Sequence, residues 1–296
     1  APAHGLVRFP DAGGMQPSVL GTEQSGAPGP SGSRAGALVR AELLMSTWIF
    51  LRGLTRESRH WGLFPETFGN EVPAAQVFTP DLPGNGTLNA ETSPLHVEDM
   101  TESIRTRLMA QGIGPPYHLL AMSLGAMAAV AWAARHPDEI RGAVLINTSL
   151  RPFSPFYRRL KPDSYFRLLK LALPGTSEQD RESTIMALTS HQADYPVEVL
   201  KNWVAYRREY PVSSRNALRQ LVAAARFRAP NTRPAAPLLI LASKHDALVD
   251  HSCSHQLARH WTTAFAEHPT AGHDLPLDDG LWIARQVGRW LQSQPA

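Results

Sequence analysis

The chain reads as an α/β protein, with a mostly parallel central sheet, helices on both faces and an inserted helical cap. Three observations predict this. From residue 46 to about 150, short apolar runs alternate with amphipathic or alanine-rich stretches of helical length. Over 151–228 the alternation stops and the pattern is helical throughout. From 229 to the C-terminus it resumes. Strands that alternate with stretches of helical length in this way indicate a parallel sheet covered on both faces. The expected organisation is therefore an extension over 1–44, a core over 45–150 and 229–296, and a cap over 151–228.

Taken in order, STWIFLRG (46–53) is a short apolar run closed by glycine and predicts a first strand. AQVFTPDLPGNG (75–86) predicts a second strand, stopped by Pro and Gly turn residues. SPLHVEDMTESIRTRLMAQG (93–112) has apolar positions near helical spacing, acidic residues early, basic residues later and Gly112 as a stop. YHLLAMS (117–123) predicts a third strand. LGAMAAVAWAARHP (124–137) predicts a helix that ends before Pro137, and IRGAVLINTS (140–149) a fourth strand. In the cap, Pro174, Pro196 and Pro211 act as helix stops. APLLILASKHD (236–246) then predicts a strand, HSCSHQLARHW (251–261) a helix, TAFAEHPTAGH (263–273) a strand and loop, and GLWIARQVGRWLQ (280–292) a final helix.

Composition bounds the rest. Hydrophobic residues make up 43% of the 296-residue chain, enough for a sizeable core and against global disorder. A formal net charge of +3, with no zinc-finger spacing, basic helix or aromatic-interleaved basic run, gives no reason to expect a nucleic-acid partner. One cysteine, Cys253, excludes an intrachain disulfide. No apolar run approaches the ~18 residues of a membrane-spanning helix, so stable membrane insertion is not expected. Residues 1–44 hold 8 Gly, 5 Pro and 4 Ser without a sustained hydrophobic period, and lack the basic start and apolar stretch of a secretory signal. They read as a flexible extension, with Met45 as a possible natural start. The single cysteine and the absent signal lead us to expect a cytoplasmic protein.

The chemistry centres on AMSLG (121–125). Ser123 follows an apolar strand and precedes a helix. It is either a nucleophile on a sharp strand–helix turn or a small residue in a tight packing position. The nucleophile pattern is Gly-x-Ser-x-Gly; Gly125 matches and Ala121 replaces the first glycine, one methyl larger. A serine hydroxyl needs a base to take its proton. LASKHDALVD (241–250) and PTAGHDLPLDD (269–279) supply candidates for an acid and a base.

With Ser123, Asp246 and His273 in that order, the chain from about residue 46 onward resembles the α/β-hydrolases, whose triad follows the order Ser, Asp or Glu, His. The resemblance implies a serine hydrolase acting on carboxylic esters through an acyl-enzyme, with a small-molecule ester as its partner and no cofactor. Ser123 would be the nucleophile, His273 the base and Asp246 the acid that orients it. The gap from Ser123 to Asp246 holds the cap, and the gap to His273 holds one helix and one strand. Asp250 is the alternate acid, with helix capping as its structural role. His268 is the alternate base, with an ordinary polar role at a strand end. Thioester and C–C bond hydrolysis with the same triad remain open, as does a non-catalytic binding protein on this scaffold. A serine at the turn argues against branches that use an aspartate nucleophile.

The oxyanion hole implied by the resemblance uses the N–H of Leu124 and that of Leu54, in the loop FLRGLTRESRHWG (50–62). Arg52 stands where the family often has histidine. It either attracts an anionic substrate group or braces the loop. Gly53 permits close backbone approach, and Trp61 and Phe64 either line the pocket or pack in the core. PDLPGNG (80–86) reads as a structural turn in which Gly84 and Gly86 shape a loop near the site. The cap carries 14 Lys/Arg against 7 Asp/Glu, read as a solvated face or an attraction for acidic substrates; FYRRLKPDSYFRLLKLAL (156–173) alternates basic and apolar patches and is a weak candidate for touching a lipid interface. The remaining histidines are scattered, with no HExxH or similar spacing, so no metal is expected.

Overall fold

The computed structural model describes residues 46–171, 175–191 and 197–294. The extension expected over 1–44, Met45 with it, lies outside the described residues, as does the end of the 156–173 stretch.

Six parallel strands form one sheet in the order β2–β1–β3–β4–β5–β6. They are β1 (Ser46–Leu51), β2 (Ala75–Phe78), β3 (Tyr117–Met122), β4 (Ile140–Ile146), β5 (Leu238–Ser243) and β6 (Ala264–His268). Each parallel neighbour demands a crossover, which the helices supply. They are α1 (Phe64–Glu71), α2 (Val97–Ala110), α3 (Leu124–Arg135), α4 (Phe156–Arg159), α5 (Tyr165–Leu171), α6 (Glu178–Thr189), α7 (Val197–Glu209), α8 (Ser214–Arg226), α9 (Ser252–Trp261) and α10 (Leu275–Gln292).

Successive residues of a strand face opposite sides, and β1 divides its side chains accordingly. Ile49 and Leu51 join one buried cluster with side chains of α2, α3 and α9. Trp48 and Phe50 join a second cluster with α1 and α10. Both faces of the sheet are therefore covered, as the alternation of strands and helices predicts.

Two elements differ from the sequence reading. Helix α1 occupies a stretch to which the sequence reading assigns no element, and it packs an aromatic cluster, Phe50–Phe64–Phe68, under the sheet. The last helix begins at Leu275 rather than Gly280, with a break in its helical backbone at Asp279. Pro276 stands in its first turn, where a missing N–H costs nothing.

Between β4 and β5 the described residues contain helices α4–α8 and no named strand. The ends of this segment meet: Arg151 and Arg228 form a single parallel bridge, and Ala229 N–H donates to Arg151 O at 2.8 Å. The helices lie over the carboxyl edge of the sheet and contact the loops there, as detailed below.

Candidate active site

The loops at the carboxyl ends of β3, β4, β5 and β6 converge. Ser123 sits between β3 and α3 with φ 53° and ψ −118°, a backbone state that costs a non-glycine residue on the order of 1–3 kcal/mol and must be held by its surroundings. Its N–H donates to Ile146 O at 3.0 Å, and Thr148 Oγ1 donates to Ser123 O at 3.2 Å. The turn brings α3 very close to the end of β1: a Cβ on Gly125 would lie 2.3 Å from Leu51 O and 2.6 Å from Arg52 O. Only glycine fits there. Ala121, by contrast, sits fully buried in β3, and its methyl is accommodated in the core.

His273 and Asp246 are brought together. His273 Nδ1–H donates to Asp246 Oδ2 at 2.7 Å, with both side chains buried. The other oxygen of Asp246 accepts from Leu248 N–H at 2.8 Å and Val249 N–H at 2.9 Å. The carboxylate is thus fixed on three sides, and it fixes the imidazole tautomer that leaves Nε2 unprotonated. Burial alone would lower the pKa of His273, but the Asp246 carboxylate, and behind it Asp274, outweigh burial and raise it above the ordinary imidazole value. Asn147, at the end of β4, binds the assembly: its amide donates to His273 O at 2.8 Å and Ser243 Oγ at 2.9 Å, and its oxygen accepts from Ser243 N–H at 2.7 Å.

The alternates have other work. Asp250 Oδ1 accepts from Ser252 N–H at 2.9 Å at the start of α9. His268 Nδ1 accepts from Ala271 N–H at 2.9 Å, and its Nε2 meets Asp279 at 3.2 Å. Neither touches the Asp246–His273 pair.

The loop after β1 lies directly against the serine. A Cβ on Gly53 would lie 3.2 Å from Ser123 Cβ and 3.7 Å from its Oγ. The N–H groups of Leu54 and Leu124 have no acceptor among the described residues. Two of the weak substrate-binding expectations are corrected here. Arg52 is not presented to a substrate: its guanidinium is buried and makes a two-pronged pair with Asp274, Nη1–Oδ1 3.1 Å and Nη2–Oδ2 2.6 Å. Trp61 does not line an open pocket: its ring is buried against Phe50, with the Arg52 guanidinium over it at 4.8 Å. The planar cation thus stands between a carboxylate and an indole face, while its Nε has no hydrogen-bond partner among the described residues.

Several residues that hold this loop carry no local sequence signal. Gln220 of α8 is fully buried; its Oε1 accepts from Thr55 N–H at 2.9 Å and its Nε2 donates to Asn85 Oδ1 at 2.7 Å. Glu182 of α6, also buried, accepts from Arg56 at 2.6 Å and Arg207 at 3.1 Å. Burial, and then the nearby Arg56 and Arg52, hold His60 well below the ordinary imidazole pKa, so it is neutral beside these cations. At the other side, Asp274 N–H donates to Thr189 O at 2.6 Å at the end of α6, and Lys161 Nζ donates to Asp246 O at 2.7 Å. Part of the positive charge between β4 and β5 is therefore spent on internal contacts and not on a solvated face.

The PDLPGNG turn is structural, as read. Asp81 accepts from Ser58 N–H and Thr87 N–H, and Gly84 and Gly86 both have positive φ with no room for a Cβ. A cavity of about 340 Å³ opens beside the acid loop; its walls include Asp246, Lys161 and Leu188 but neither Ser123 nor His273, so it adjoins the site without being its mouth. The histidines are less scattered than their spacing implies, because the fold brings His251, His255 and Glu267 together on the other side of α9. Among the described residues, no helix is long and apolar enough to cross a membrane.

A family model described as the alpha/beta hydrolase fold matches residues 49–280. No curated protein sequence matches the chain. Among solved structures, the chain is similar to a candidate lipase from Acinetobacter baumannii AYE, with 22% identity, 83% of each chain covered and a TM-score of 0.68. It is also similar to the enol-lactonase from Burkholderia xenovorans LB400, with 19% identity over 84% of this chain and 92% of the other and a TM-score of 0.65. A thermophilic esterase from Thermogutta terrifontis is 18% identical over 83% of this chain and 89% of the other, with a TM-score of 0.62.

Proposed function

The chain belongs to the alpha/beta hydrolase fold family, and on that premise we propose that it is a serine hydrolase of carboxylic esters, with Ser123 as nucleophile, His273 as base and Asp246 as the acid that orients it. The observations that carry this reading are the strained backbone of Ser123, φ 53°, whose N–H bonds the end of β4 at Ile146 O, and a buried His273–Asp246 pair whose loop is tied to the same strand end by Asn147. A strain of this kind persists where the surroundings over-determine it, and such places cluster at functional sites.

The reaction runs in two halves. His273 Nε2 takes the proton from Ser123 Oγ as Oγ bonds to the ester carbonyl carbon. The carbonyl oxygen gains a negative charge, which the unbonded N–H groups of Leu54 and Leu124 stabilise. The tetrahedral intermediate collapses, His273 protonates the alcohol oxygen, and the alcohol leaves. Water then attacks the acyl-enzyme by the same route, and the acid departs as Ser123 regains its proton. Asp246 stays ionised throughout and stabilises the imidazolium. Gly53, packed on Ser123, allows the loop backbone to approach the reacting carbon.

The similarity to a candidate lipase, an esterase and an enol-lactonase supports an ester bond as the substrate class. The experiment is covalent labelling of the purified chain by a fluorescent fluorophosphonate, compared with Ser123→Ala, followed by hydrolysis rates on p-nitrophenyl esters of graded acyl length. Labelling lost in the variant, with measurable ester turnover, is expected. Labelling without turnover of any ester would move the substrate to a thioester or a C–C bond, and no labelling at all would favour a binding protein on this scaffold.

A further inference from the structure

Away from the proposed catalytic residues, the start of α9 and the strand β6 build a second cluster. His251 and His255 stand one helical turn apart, a spacing that puts both rings on one face. Glu267, on β6, faces them. Its Oε2 accepts from His251 Nδ1 at 2.6 Å and from His255 Nε2 at 2.8 Å. One ligating atom from each of the three residues lies within 4.8 Å of the others. Phe265 packs against the His255 ring with centroids 4.3 Å apart, which restricts that ring's orientation.

We propose that His251, His255 and Glu267 form a binding site for a divalent transition-metal ion of the zinc type. Two imidazole nitrogens and one carboxylate oxygen are the donor set that borderline ions of this kind prefer, whereas magnesium and calcium want oxygen alone. The three donors now converge on one carboxylate oxygen through hydrogens. An ion with metal–ligand distances of about 2.0–2.2 Å takes the place of those hydrogens with small side-chain rotations. To bind the ion each ring nitrogen that faces Glu267 must offer its lone pair: a neutral imidazole does so by carrying its hydrogen on the other ring nitrogen, and a protonated one by releasing a proton to solvent. All three side chains are partly exposed, between 24% and 39%, so the ion has an entry path and room for water in its remaining positions.

The ion would join two segments that lead into the proposed active site. His251 follows the acid loop that begins at Asp246, and Glu267 is followed by the loop that carries His273. The site stands on its own geometry and does not depend on the esterase reading.

The test uses the untagged full chain, stripped with a chelator and titrated with Zn²⁺ by isothermal calorimetry at neutral pH. One ion per chain with micromolar or tighter affinity is expected, together with a rise in the unfolding midpoint. His255→Ala and Glu267→Gln are each expected to weaken binding by about tenfold or more, since even outer partners of metal ligands contribute about 10–100-fold. His260→Ala, on the same helix but outside the cluster, is expected to bind as wild type does; circular dichroism checks that all variants are folded. Absence of saturable binding to the wild type, or wild-type affinity in the Glu267→Gln and His255→Ala variants, would overturn the proposal.

Discussion

Asp274→Asn and Arg52→Met remove opposite halves of the same buried pair, and they are expected to agree in stability while disagreeing in pH dependence. Both side chains are 3% exposed and bonded at two points. Removing either partner leaves a buried charge uncompensated, which typically costs about 3–5 kcal/mol. At about 2–4 °C per kcal/mol for a domain of this size, the thermal midpoint should fall by roughly 6–20 °C. The pair replaced together by apolar residues, Arg52→Met with Asp274→Leu, should recover most of that loss, because the hydrophobic substitute has no desolvation penalty. The pH effect has a sign for each variant. Asp274 raises the pKa of His273 and Arg52 lowers it. Without Asp274 the imidazolium is less favoured, so the neutral base persists to lower pH and the acidic limb of kcat/KM moves down. Without Arg52 the imidazolium is more favoured and the limb moves up. Urea unfolding and pH–rate profiles on a p-nitrophenyl ester measure the two effects. Limbs that move in the same direction, or single variants that lose less than about 1 kcal/mol, would refute the reasoning.

Three further outcomes are expected. Asp246→Asn presents an amide to His273 Nδ1 and favours the wrong tautomer, so kcat should drop by about 10⁴; burial then dominates His273, and the acidic limb of the residual activity should move to lower pH. Gly125→Ala forces a methyl into backbone oxygens of Leu51 and Arg52 and should cost about 1–3 kcal/mol together with most of the activity, whereas Ala121→Gly should cost about 0.5–1 kcal/mol and keep it; the pair of unfolding curves and rates decides which side of the serine turn needs the small residue. His118, stacked on Trp48, has its pKa lowered to about 4 by burial and then by Arg141. It therefore stays neutral when folded but takes a proton below about pH 6.5 when unfolded, so stability should fall with pH from there to about 4, by up to about 1.4 kcal/mol per pH unit; His118→Phe should flatten that slope in denaturant titrations across the range.

The parts of this structure legible in the sequence are those with local causes. The inner strands β1, β3, β4 and β5 are apolar runs, and their alternation with helices states that both faces of the sheet are covered. Ser123 is visible because a strand, a small turn and an alanine-rich helix follow one another without a break. Asp246 and His273 are visible because each lies in a loop that follows a strand. What the sequence hides depends on distance along the chain. Asp274 reads as one more acidic residue after His273, and Arg52 as either a brace of its loop or an attractor of an anionic substrate group, until the fold closes 222 positions between them. Helix α1 is hidden for another reason: FPETFGNE contains a proline, a glycine and an asparagine, weak helix formers that are overruled by the burial of Phe64 and Phe68. His251 and His255 show their spacing, but Glu267, the residue that makes them a cluster, is on strand β6.

The segment between β4 and β5 bears on the geometry of the β1 loop more than its position suggests. Gln220 of α8 takes Thr55 N–H, next to the Leu54 N–H on which the proposed oxyanion site depends. Glu182 of α6 balances Arg56 and Arg207 in a place where an unpaired charge would be costly. Thr189, at the other end of α6, takes the N–H of Asp274, whose carboxylate holds Arg52. The loop after β1 is short of its own hydrogen-bond partners and obtains them from helices inserted a hundred or more residues later. Those helices therefore do two things at once: they cover the carboxyl edge of the sheet, and they set the backbone against which Ser123 is packed. A change in α6 or α8 that leaves every proposed catalytic side chain intact should still alter the rate, because it changes where Leu54 N–H points.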